Sequence, residues 1–190
     1  MKVMQLLPEL NSGGVERGTL EIARALIQDG HQSVVVSNGG RLVAQLQAEG
    51  SQHVSLAIHK KSLASLWQIR PLRQLIQQQQ PDIVHVRSRV PAWLLHFALK
   101  GLPVQQRPHL ISTVHGFYSI NRYSAIMTQA EKVIAVSDSV VEYITAHYKN
   151  CAPENIVRIY RGISAQEFPH GYQPSALWIN QTFKDFPQLE

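Results

Sequence analysis

Cysteine, long apolar runs and acidic side chains in the middle of the chain are what this sequence has least of. Cys151 stands alone among 190 residues, which excludes an intramolecular disulfide framework and suits a reducing cytosol. No apolar stretch approaches the roughly twenty residues that span a bilayer. The start, Met1-Lys2-Val3-Met4-Gln5-Leu6-Leu7-Pro8-Glu9, has one positive side chain and too short an apolar run for a signal peptide. A cytoplasmic protein is expected, free or held peripherally on the inner face of the cytoplasmic membrane.

Catalytic equipment is equally sparse. There is no H-E-x-x-H or paired-cysteine metal site, no Asp-x-Asp pair for a nucleotide-bound divalent ion, no P-loop and no G-x-S-x-G elbow. No metal or other cofactor is expected. Between Gly50 and Ala130 the single acid is Asp82, which argues against a two-carboxylate glycosidase site. The chain by itself is not equipped for acid–base or nucleophilic catalysis.

What the chain does have is segregated positive charge. Those same residues 50–130 carry nine Lys or Arg against the one acid, a net of +8; with +5 overall, the remainder carries −3. A field of that kind is directed at an anionic partner: phospholipid, nucleotide or phosphorylated glycan. A nucleic-acid partner is not expected. Hydrophobic residues at 44% and charged residues at 16% fit a folded domain with a real core.

Short apolar runs and helical periodicities alternate about six times. The runs at residues 3–7, 34–36, 53–58, 83–86, 110–114, 133–136 and 156–159 predict strands. Helices are predicted over 15–29, 42–49, 63–80 (restarting with Pro71 as its first residue), 92–102, 124–130 and 138–148, the last capped by Ser137. The strands read as continuous Val/Ile runs, so the fold class expected is α/β, a Rossmann-like parallel sheet with helices on both faces. Ligands of such sheets bind beyond the carboxyl ends of the strands. Lys60, Lys61, Arg87, Arg89, Arg122 and Arg161 all fall in or beside loops at that rim. After Phe168 the periodicity disappears. Residues 169–190 read as a connector or tail, leaving 1–168 as the domain.

Three constellations stand out. Gly13-Gly14 opens the first helix, where backbone N–H groups and the helix dipole favour an anion; an ordinary tight turn is the equal alternative. The G-x-G-x-x-G fingerprint is absent and the second strand ends without a carboxylate, so a nicotinamide or flavin dinucleotide is not expected. His115 and Gly116 end the fifth strand, where an imidazole can meet a sugar hydroxyl or phosphate. Arg87-Ser88-Arg89 places two guanidiniums in one rim loop, suited to phosphate or carboxylate, or else simply solvated.

Taken in order, these residues resemble family 4 glycosyltransferases. Gly13-Gly14-Val15-Glu16-Arg17 with Leu20 to Leu26 and Gly30-His31 resembles the family's opening, and Pro81 to Arg89 its PDIVHxHS strand. Thr113 to Gly116 resembles the T.HG loop, Val133 to Ser137 the V.AVS segment, and Ile159 to Ile163 the I.NG(V/I)D segment. The arginines look like those of bacterial members that build lipopolysaccharide. The resemblance implies one half of a GT-B fold: two Rossmann-like domains across a cleft, transferring a sugar from a nucleotide-sugar to a glycan or lipid-linked acceptor with retention and without a metal. The first domain mainly binds acceptor, and the second holds the donor through a basic pair and a Glu-x7-Glu motif that is missing from this sequence. By the same resemblance Gly13 and Gly14 would line the donor diphosphate, and His115, with Gly116, would meet the donor sugar as the catalytic-site residue. Arg87, Ser88, Arg89 and Arg122 would face the acceptor. Arg161 and Ser164 replace the Asn and Asp of the last motif, so those contacts do not carry over. A stand-alone anion-binding or scaffolding module, and an epimerase of related architecture, remain the other readings.

Overall fold

The computed structural model of the chain describes residues 1–162 and 169–189. Two units divide it, Met1–Tyr160 and Arg161–Glu190. In the first, strands β1 (Lys2–Leu6), β2 (Gln32–Ser37), β3 (Gln52–Ser55), β4 (Ile83–Val86), β5 (His109–Val114), β6 (Lys132–Ala135) and β7 (Ile156–Arg158) form one sheet in the order β3-β2-β1-β4-β5-β6-β7. Every pairing is parallel. Helices α1 (Gly14–Gln28), α2 (Val43–Ala48), α3 (Ile69–Gln79), α4 (Arg89–Lys100) and α5 (Asp138–His147) connect them. This is the Rossmann-like α/β fold that the Val/Ile runs predict.

Burial on both faces explains why those runs are continuous. On one face Leu7, Val35, Leu20, Ala23 and Leu46 pack together beneath α1 and α2. On the other, Met4, Leu6, Val34, Val36, Val84 and Val86 join α3 and α4 through Leu72, Ile76, Leu95 and Ala98. The strand order reverses between β1 and β4, so the crevice at that switch point is floored by the loops that follow these two strands. The loop after β1 is clamped to the loop after β2: Leu10 N–H donates to Gly39 O (2.8 Å) and Asn38 N–H to Pro8 O (2.9 Å). Gly40, at φ +141°, comes so close that an added Cβ would lie 2.4 Å from the Leu10 carbonyl.

Four elements differ from the sequence reading. Residues 63–80 split into a 3-10 segment (Leu63–Gln68) and α3, with Pro71 third in the α-helix. Helix α4 begins three residues early, at Arg89, and tolerates Pro91 because N–H groups in a first turn have no intrahelical acceptor. Residues Ser124–Thr128 are 3-10. The supposedly aperiodic second unit contains a helix, α6 (Ala176–Asp185), whose Ser175 cap accepts a bond from Trp178 N–H (3.3 Å). Ile163, Ser164 and the boundary at Phe168 lie outside the described residues.

Candidate functional site at the carboxyl edge of the sheet

Parallel register brings polar residues of three strands onto the face covered by α1. Gln5 lies opposite both Val35 and His85, and His85 lies opposite Ile111, two residues before Thr113. Gln5 is fully buried; its amide donates to Thr19 O of α1 (3.1 Å), and its Oε1 accepts from Arg87 Nη1 (3.1 Å). His85 Nε2 and Thr113 Oγ1 are 2.7 Å apart. Burial, and then the positive charge of Arg87 and the neighbouring His115, push the His85 imidazole down to about 3. His85 is thus neutral at physiological pH. Sequence reading missed this layer. Its signal was a Gln inside Val3–Leu7 and a His inside Ile83–Val86, polar residues at positions that the register turns inward.

Arg87 corrects the expectation of a solvated rim pair. It follows β4 but is only 4% exposed, held beneath the crevice on Gln5. Arg89 is separated from it in role. As first residue of α4 it is half-buried, donates from Nη1 to Ser124 Oγ (3.1 Å), and lies over the rings of Tyr118 (4.9 Å) and Tyr123 (5.5 Å). Ser88 is the extended N-cap of α4 and its side chain makes no capping bond. Lys61 Nζ sits 4.4 Å over the other cation's ring partner, Tyr123. Trp93 stacks on Tyr123 and donates from Nε1 to its carbonyl (2.9 Å). Cation–π contacts of this kind hold guanidinium and ammonium groups at a defined place without neutralising them.

His115 follows β5 directly and is half-buried, as is Gly116. The loop after it is pinned from behind: Tyr143 of α5 donates to the Tyr118 carbonyl, and burial pushes the Tyr118 phenol up against a hydrogen bond with the His115 backbone. Arg122, on the same loop, is exposed. Gly13 is the N-cap of α1, at φ +155°, and Gly14 its first residue. The Glu16 carboxylate folds back over them, since a Cβ on Gly13 would lie 2.6 Å from Oε2. An acid in the first turn complements the helix dipole, and a bound phosphate would take its place.

Positive charge does not all gather at this rim. Arg73 and Arg107 donate from Nε to Ala98 O (3.0 Å) and Leu102 O (3.1 Å), covering chain ends at the opposite, amino edge of the sheet. Among the described residues no cluster of three or more His, Cys, Asp or Glu side chains could hold a metal ion. No described helix is long and apolar enough to cross a membrane.

A parallel sheet with its switch point at β1 and β4, glycines at the first helix start, and ordered cations on the same rim define one Rossmann-like half of a GT-B fold. The chain belongs to Glycosyltransferase Family 4, whose model matches residues 12–167. A glycosyltransferase from Rickettsia africae ESF-5 superposes with a TM-score of 0.76 at 31% identity, over 98% of this chain and 49% of that one. Anabaena Alr3699/HepE, solved with UDP and glucose, gives 0.70 at 16% identity over 98% and 50%. The lipopolysaccharide outer core galactosyltransferase WaaB gives 0.63 at 15% over 86% and 46%; these last two speak to the fold alone. The chain spans about half the length of the structures it matches. No curated protein sequence matches it significantly.

Proposed function

We propose that this chain is the acceptor-side half of a retaining glycosyltransferase that moves a sugar from a nucleotide-sugar to a bacterial glycan or lipid-linked acceptor of the lipopolysaccharide type. Residues 1–168 are the acceptor domain and 169–190 lead toward the second half. The enzyme works in the cytoplasm, on the inner face of the membrane. The observation that carries this reading is the family match over residues 12–167 on a sheet whose switch-point loops hold Gly13, Gly14 and the Arg87–Arg89 turn.

In this reading the start of α1 receives the donor diphosphate, its N–H groups and dipole replacing the Glu16 carboxylate. His115 and Gly116 meet the donor sugar. Arg89, with Ser88 and exposed Arg122, binds the anionic acceptor. Arg87 supports the site from beneath, through Gln5. Stabilisation of the departing diphosphate by cations is the expected source of catalysis, and its main residues belong to the other half, so the chain alone transfers no sugar. The test is the anomeric configuration of the product made by a polypeptide carrying both halves. Retention supports the reading; inversion overturns it.

A further inference from the structure

The surface beside the acceptor rim carries apolar side chains that no packing requirement explains. In the 3-10 segment, Leu63 is 85% exposed, Trp67 80% and Leu66 47%. These residues sit three and four apart and follow directly on Lys60 and Lys61. Behind them a slot of about 200 Å³ runs between Leu66 and the α4 side chains Val90, Trp93, Leu94 and Phe97, with Lys60, Lys61 and Tyr123 at its mouth. Lys61 is held there over the Tyr123 ring, which Arg89 approaches from its other neighbour, Tyr118. Phe97 itself is partly exposed.

Charge decides what this surface meets. From residue 50 to residue 81 there is no acidic side chain, whereas Lys60, Lys61, Arg70 and Arg73 are basic. A protein partner surface usually has a polar rim of mixed sign. Leu and Trp standing out beside lysines, with no acid near, is the composition of an element that lies in a lipid interface: the indole and isobutyl groups enter the acyl boundary while the ammonium groups reach head-group phosphates. Lysine stems can cover apolar surface and still keep their charge in water.

We propose that residues 60–68, with the slot behind them, dock this unit on an anionic lipid bilayer. Leu63 and Trp67 enter the interface, Lys60 and Lys61 contact lipid head groups, and the slot admits one acyl chain beside Arg89. This deepens the reading above, because it rests on an acceptor that is lipid-linked and anionic. It also assigns the contact to a segment that the rim arginines do not include. Membrane attachment thereby presents the carboxyl edge of the sheet to an acceptor held in the leaflet.

The experiment is sedimentation of the purified chain with vesicles of phosphatidylcholine, alone or with about one-third phosphatidylglycerol. The chain should prefer the anionic vesicles. Lys60→Ala with Lys61→Ala should weaken that binding roughly thirty-fold, as expected for two lysines near an anionic surface. Leu63→Ser with Trp67→Ser should weaken it roughly a hundred-fold, by the apolar burial forgone, with the denaturation midpoint unchanged because both side chains face water. Should the double variant fold poorly, brominated lipid decides: it should quench the native protein and leave Trp67→Phe unquenched. A chain that ignores anionic vesicles, a Leu63/Trp67 variant that binds as well as the native chain, or equal quenching of native and Trp67→Phe protein overturns the proposal. None of these touches sugar transfer to a soluble acceptor, whose stereochemistry tests the enzymatic reading separately.

Discussion

Acidification should destabilise this protein through one buried side chain, His85. Its imidazole titrates near 6.5 in the unfolded chain and at about 3 in the fold, where it is 5% exposed and shares a 2.7 Å contact with Thr113. A histidine whose folded pKa is depressed costs nothing above its unfolded pKa. As pH falls below 6.5 the unfolded state takes a proton that the folded state refuses, until the loss saturates near the folded value. Between pH 7 and pH 5 the linkage relation gives a loss of about 2 kcal/mol. For a unit of this size that corresponds to a fall in melting temperature of about 4–8 °C. The assay is a denaturation midpoint at several pH values for the native chain and for His85→Gln, whose amide can still donate to Thr113 but cannot charge. His53 and His96, also lowered by burial, titrate in both proteins and cancel in the comparison. Native protein should show the extra slope and the variant should not. Equal slopes within about 0.5 kcal/mol would refute the buried, neutral assignment.

The two arginines of the β4–α4 turn should separate cleanly. Arg87→Ala leaves the buried Gln5 Oε1 without its donor and should cost at least about 1–3 kcal/mol in chemical denaturation. Arg89→Ala should change stability by less than about 1 kcal/mol, yet weaken binding of a phosphorylated glycan about ten-fold, with the difference shrinking at high salt. A stable Arg87→Ala protein, or an Arg89→Ala protein with native affinity, would reverse the roles assigned to them.

Fold class was legible because every interior strand is covered on both faces, and two-sided burial prints itself as Val34-Val35-Val36 and its equivalents. The helix starts at Gly14 and Asp138 were legible from local chemistry, glycine in one and the Ser137 cap in the other. Pro91 misplaced the start of α4, since proline marks either a stop or a first turn and only the packed structure decides which. Position along the rim was legible; depth was not. Arg87 and Arg89 are two residues apart, and the reach of Arg87 to Gln5 depends on a pairing between strands eighty-two residues distant in sequence. The helix at Ala176–Asp185 was missed because its apolar residues, Leu177 and Trp178 among them, are largely exposed and trace no buried stripe.

The central claim is that the loop after β5 places His115 against the donor sugar. Its most direct test is His115→Ala, scored by the denaturation midpoint of this chain beside kcat/KM of the polypeptide carrying both halves. A site residue at the mouth of the crevice predicts a stability change within about 0.5 kcal/mol and a steep loss of kcat/KM, because the contact is realised in the transition state. A loss of more than about 1 kcal/mol in stability, with activity falling only in proportion, would make His115 a packing residue and contradict the account.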